Sequence, residues 1–199
     1  DESLTINQGE TLTIPEGSSL NANGKLTNDG TINVEDGGTV SGTLNDGTTI
    51  TTPSISQQPQ STTVTEGQDA TFTVEASAGS ETPTYQWQQS TDNGSSWTNI
   101  ESETSASYTI NSTNTSMNGY QYRCVVTDSG VSVISAPATL TVNEPVTYAI
   151  TVHASAGGTA TADKTAAAEG ETVNLTATPA SGYHFDGWSV VSGTVTIQN

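Results

Sequence analysis

Apolar and polar residues alternate along much of this chain. Ala70-Thr71-Phe72-Thr73-Val74-Glu75-Ala76 does so, as do Ala138-Thr139-Leu140-Thr141-Val142 and Thr172-Val173-Asn174-Leu175-Thr176-Ala177. A period of two turns one row of side chains to a core and the other to water, which predicts half-buried strands. Thr fills many outward positions, where a β-branched polar side chain suits a pleated surface. Turn pairs recur between the runs at Asn23-Gly24, Asp29-Gly30, Asn93-Gly94, Asn118-Gly119 and Ser129-Gly130. The one helix-like stretch, Ala166 to Glu169, is too short to stand alone and ends at Gly170. The pattern predicts an all-β chain.

The pattern divides into three segments. Residues 1–52 carry a short repeat, at Gly24-Lys25-Leu26, Gly30-Thr31-Ile32, Gly38-Thr39-Val40 and Gly42-Thr43-Leu44. Leu20, Leu26 and Ile32 stand six residues apart, and Val34 and Val40 repeat that step. A regular apolar step with Gly at corners suits a β-solenoid-like segment of two or three rungs. The alternative is a set of hairpins extending the next domain. Pro53 and Asn143-Glu144-Pro145 mark the boundaries, giving domains at 1–52, 53–143 and 144–199. Both linkers are short and stiffened by Pro, which favours a rod.

Residues 53–143 resemble an immunoglobulin-like β-sandwich. Trp87 in Tyr85-Gln86-Trp87-Gln88 is similar to the buried Trp of strand C. Tyr120-Gln121-Tyr122-Arg123-Cys124 is similar to strand F, with Tyr122 two residues before the Cys as in a tyrosine corner. The resemblance puts Val74 at the strand-B cysteine position. Cys124 then reads as half of a lost disulfide: a reduced, buried small hydrophobe near Trp87. Residues 146–199 resemble the divergent internalin B-type repeat, from Gly170 through Pro179 to Gly182-Tyr183-His184-Phe185-Asp186-Gly187-Trp188. That family closes with a further strand after the Trp, so the repeat reads as truncated. The N-terminal repeat resembles solenoid-like segments of large bacterial surface proteins.

Composition sharpens this picture. Leu, Ile, Val and Phe number 34, a fraction that borders on disorder, but the alternation argues against disorder. The formal net charge is −18, and the cations are Lys25, Arg123 and Lys164. So few cations exclude a nucleic-acid binder and an anionic membrane surface as partner. No apolar run approaches a bilayer span, so membrane insertion is not expected. Without a visible signal peptide or wall anchor, the chain reads as a monomeric piece of a larger protein.

Candidate chemistry is sparse. Cys124 is the single cysteine, and His153 and His184 are the two histidines, so no Cys/His zinc set is expected. No Asp-x-Asp-x-Asp-Gly calcium loop occurs. Neither a metal nor another cofactor is expected. His184 and Asp186 lie near serines but lack a nucleophile elbow. Residues 53–143 contain no Lys, which excludes a Lys–Asn isopeptide link there. Ser90-Thr91-Asp92-Asn93-Gly94-Ser95-Ser96-Trp97 fits the Ser-x-Asp-x-Gly-x-x-Trp "Asp-box", a structural hairpin in sialidase propellers. Trp97, Tyr183 and Trp188 are the candidate ligand contacts, because an exposed aromatic ring can stack on a sugar. Val74, Trp87, Tyr122 and Cys124 are structural. No catalytic residue is expected.

The resemblances together imply non-catalytic stalk or adhesion modules of an extracellular or cell-surface bacterial protein. An extracellular protein or glycan is the expected ligand class. The alternative is an accessory carbohydrate-binding region of a glycan-degrading enzyme.

Overall fold

The computed structural model describes residues 3–77 and 82–193. Among these residues the regular structure is strand throughout, apart from one short 3-10 turn at Thr115–Met117. The chain is all-β. It divides into two compact units, Asp1–Glu144 and Pro145–Asn199.

The first unit begins as a coil. Strands β1 (Leu4–Ile6), β2 (Thr11–Ile14) and β3 (Ser19–Asn21) make one turn; β4 (Leu26–Asn28), β5 (Thr31–Val34) and β6 (Thr39–Thr43) make the next. Each strand pairs in parallel with its counterpart one turn on, Leu4 with Leu26, Thr11 with Thr31 and Ser19 with Thr39. The register therefore advances by 22, 20 and 20 residues. The six-residue apolar step is one side of this coil, because Leu20, Leu26 and Ile32 lie on the successive strands β3, β4 and β5. Three such sides, with their corners, close one turn, and β7 (Thr49–Thr51) then runs back antiparallel to β6. Ile6, Ile14, Leu26, Ile32, Val34 and Val40 turn inward and are buried, while Thr11, Thr13, Thr31 and Thr39 face out.

Glycine sets how closely the turns stack. A Cβ at Gly30 would fall 2.5 Å from the carbonyl oxygens of Asn7 and Glu10. Gly30 is required for space, since the corner of the first turn presses directly on it. Glu10 holds the equivalent position in the first turn, and its carboxylate folds back to accept from the Asn7 backbone N–H at 2.8 Å.

The sandwich follows. Its strands are β8 (Ser54–Gln57), β9 (Thr62–Thr65), β10 (Ala70–Thr73), β11 (Glu75–Ser77), β12 (Thr84–Ser90), β13 (Thr98–Asn99), β14 (Ser107–Ile110), β15 (Gln121–Asp128), β16 (Val131–Ile134) and β17 (Ala138–Asn143). In one layer β13, β12, β15 and β17 run antiparallel, and β9 adds in parallel to β17. Facing strands β10 and β14 pair antiparallel, as do β8 and β11. Phe72, Val74, Trp87, Tyr122, Cys124, Val126, Leu140 and Val142 fill the space between as one core. This is an immunoglobulin-like sandwich.

Coil and sandwich share a sheet. Strand β16 pairs antiparallel with β15 and, on its other edge, in parallel with β5. Val131 on β16 is fully buried in the coil's own core. The sandwich thus covers β5, whose edge would otherwise present unpaired peptide groups.

The second unit holds two antiparallel pairs. Strand β18 (Thr147–Ala149) pairs with β20 (Ala166–Ala168), and β19 (Gly158–Ala162) pairs with β21 (Leu175–Pro179). The helix-like stretch at Ala166 is therefore strand, because tertiary pairing overrides the helix propensity of alanine. Ala167 is its buried aliphatic among the described residues.

Candidate functional site

The residues singled out in the sequence fall in three places. The first is the sandwich core. Trp87 on β12 and Cys124 on β15 are direct cross-strand partners, and neither has any exposure. The indole Nε1–H of Trp87 donates to the Ser105 carbonyl at 2.9 Å. The Phe72 ring centre lies 4.8 Å from that of Tyr122, and Tyr108 lies 5.6 Å from Tyr122. Burial pushes the Cys124 thiol up to about 11. A thiol so placed stays protonated at neutral pH, and only the thiolate is a nucleophile. Burial likewise pushes the Tyr122 hydroxyl up.

The second place is the hairpin between β12 and β13. Ser90 Oγ donates to Asp92 Oδ1 at 2.7 Å and accepts the Gly94 N–H at 2.8 Å. The Ser96 N–H donates to Asp92 Oδ1 at 2.8 Å, and Ser96 Oγ donates to Oδ2 at 2.5 Å. These donors, the Ser96 hydroxyl foremost, hold the Asp92 carboxyl at about 2. A carboxylate stabilised in this way is a poor proton acceptor. Asn93 at φ 58° and Gly94 at φ 83° supply the left-handed backbone that the turn needs. Trp97 closes the hairpin. Its Nε1–H donates to the Gly94 carbonyl at 3.1 Å, and the Arg123 guanidinium carbon lies 4.1 Å from its ring centre. Arg123 is held there by its Nε–H, which donates to Gln88 Oε1 at 2.7 Å. The ring is half-buried, and one face is taken by a cation from the same sheet.

The third place is the segment after β21. Tyr183 is 60% exposed and Phe185 is 47% exposed. Trp188 is half-buried and meets Phe185 edge-on, with ring centres 5.2 Å apart. The Tyr183 ring packs against the backbone of Gly157, so one face is covered. His184 Nε2 lies 2.9 Å from Asp186 Oδ1, with both side chains in solvent. Phe185 joins this patch beyond the three candidate contacts, and its alternation with Tyr183 in Tyr183-His184-Phe185 is the sequence signal for it.

Among the described residues no group of three or more His, Cys, Asp or Glu gathers to hold a metal ion. No helix there is long and apolar enough to cross a membrane.

The described residues are all-β: a parallel coil, an immunoglobulin-like sandwich and a smaller β-rich unit. Residues 40–144, just over half of the chain, match the model described as Domain of unknown function (DUF8696), and the chain belongs to that family. Residues 148–199 match the Divergent InlB B-repeat domain. Endoglucanase C of Cellulomonas fimi is 39% identical over 103 residues, which cover 52% of this chain and 9% of that enzyme's length. Similar solved structures include Sidekick-1 immunoglobulin domains 1-5, at 25% identity and TM-score 0.37, covering 46% of this chain and 20% of that one. Tandem Ig repeats of Dlar match at 20% identity and TM-score 0.40, covering 53% and 55%.

Proposed function

We propose that this chain is a run of non-catalytic modules from a bacterial extracellular or cell-surface protein, serving as stalk and contributing to the binding of an extracellular ligand. One observation carries this reading for the first unit. Trp97, its best-placed aromatic for a ligand, is spent on the hairpin, with its N–H on Gly94 and a face under Arg123. A sugar-stacking ring needs an open face. We read the N-terminal coil as two turns of a β-solenoid whose downstream side is closed by the sandwich. Repeat architectures need such closure, because each turn buries its apolar face only against a neighbour.

A second reading has its own support. The likeness to Endoglucanase C, together with the exposed Tyr183 and Phe185, favours an accessory carbohydrate-binding region of a glycan-degrading enzyme. A glycan array and a cellulose depletion assay on the whole chain separate the two. A pure stalk, or one whose ligand is a protein, gives no saturable glycan binding. Saturable binding that is lost in Tyr183→Ala or Trp188→Ala supports the accessory reading and overturns a pure stalk.

A further inference from the structure

Seven Asn-Gly or Asp-Gly pairs occur in the sequence, at Asn23, Asp29, Asp36, Asp46, Asn93, Asn118 and Asp186. Such a pair can rearrange spontaneously when the glycine nitrogen reaches the side-chain carbonyl carbon. Absence of a Cβ on the glycine opens that approach. The reaction also needs the glycine N–H free and the local backbone able to turn.

At four of the seven the glycine N–H is already bonded, and at Asp29-Gly30 and Asp36-Gly37 the backbone on both sides of the pair is pinned by hydrogen bonds. The Gly24 N–H donates to the Thr43 carbonyl, Gly47 N–H to Leu44 and Gly119 N–H to Leu140. The Gly94 N–H donates to Ser90 Oγ at 2.8 Å. Gly30 is wedged under the corner carbonyls of Asn7 and Glu10. Asp36 is bracketed by bonds on both sides, from Glu35 N–H to the Ile14 carbonyl and from Gly38 N–H to the Glu35 carbonyl.

Asp186-Gly187 differs. From His184 to Gly193 no backbone hydrogen bond is made among the described residues; the nearest is from Tyr183 N–H to the Ala180 carbonyl. The Asp186 side chain is 89% exposed, and a Cβ at Gly187 would meet nothing within 4 Å. We infer that Asp186-Gly187 is a site of spontaneous aspartate isomerisation, and the first of the seven to convert.

The chemistry needs no reagent but water. The Gly187 nitrogen attacks Asp186 Cγ and gives up its proton, while a carboxyl oxygen leaves as water. A five-membered succinimide forms. Water then opens it at the side-chain carbonyl, restoring aspartate, or at the main-chain carbonyl, giving the β-linked isomer. Composition is unchanged, but the isomer places an extra methylene in the backbone between Phe185 and Trp188. The edge-on contact of those two rings spans that linkage, so isomerisation remodels the exposed aromatic patch. This inference does not depend on the stalk reading or on any ligand.

The test is prolonged incubation of the whole chain at neutral pH and physiological temperature, followed by peptide mapping with chromatographic separation of isomers. Enzymatic methylation specific for the β-linked isomer supplies a second readout. The expected result is a mass-neutral isomer in the peptide carrying Phe185 to Trp188, ahead of any change at the other six pairs. Asp186→Glu abolishes that signal, because its longer side chain cannot close the five-membered ring. Absence of the isomer at Asp186, or earlier conversion at any other pair, overturns the inference.

Discussion

The Arg123 guanidinium carbon stands 4.1 Å from the centre of the Trp97 ring, while its Nε–H is donated to Gln88 on the neighbouring strand. Arg123 and Gln88 are cross-strand partners, and the indole is carried on the hairpin that leaves β12. One cation therefore ties the hairpin to the face of the sheet. Partly exposed cation–π contacts stabilise by about 0.5–2 kcal/mol. Arg123→Ala is expected to lower the melting temperature and to shift Trp97 fluorescence. Arg123→Lys keeps the charge but loses the planar donor to Gln88, so it should fall between the two.

Trp87→Ala should destabilise the sandwich by about 3–5 kcal/mol, as a core aromatic truncation. Chemical denaturation of the variant against the parent measures it. A change near zero would contradict a core in which Trp87 has no exposure.

Cys124 should resist thiol reagents until the sandwich opens. Its folded pKa of about 11 stands above the ordinary 9.0, so the fold favours the protonated form. Stability from this group is fully present below pH 9 and is lost as pH climbs toward and through 11. Labelling at neutral pH should therefore track unfolding, and the parent should lose stability on the alkaline side more than Cys124→Ala does. Rapid labelling of the native chain would contradict the burial.

Asp92 makes the opposite prediction at the acid end. Its folded pKa of about 2 lies below 3.8, so the hairpin gains from this group above pH 3.8 and loses it as pH falls through 2. A carboxyl titration by NMR should place Asp92 at the low end of the aspartates. Asp92→Ala should loosen Ser90, Ser96 and Trp97 together, seen as faster amide exchange at Gly94 and Ser96.

Gly30→Ala should destabilise the coil by about 1–3 kcal/mol, because the added methyl has no space under the Asn7 and Glu10 carbonyls. Gly47→Ala is a useful contrast: there φ is +90° but nothing lies within 4 Å of the new atom. Only backbone strain then opposes the change, so the smaller loss is expected. Thermal unfolding of both variants compares them.

The fold was legible where one physical signal dominated. Alternation around Phe72, Leu140 and Leu175 gave strands, and the Trp87 and Cys124 patterns gave the sandwich. Legibility ended where contacts depend on distant segments. The six-residue step revealed the side of the coil but not that three sides make a turn, since parallel register is set by residues 20 positions away. Nothing local to Val131 announces that β16 pairs with β5, some hundred residues upstream. The Asp92 hairpin was readable because its bonds lie within a few residues. The Arg123 cover on Trp97 was not, because it crosses between strands.

On the proposed function, Trp97 builds the hairpin and does not face a ligand. Trp97→Ala tests it most directly when stability and glycan binding are measured on the same sample. A lower melting temperature is expected, with glycan binding unchanged from the parent. An unchanged melting temperature together with lost saturable glycan binding would contradict it.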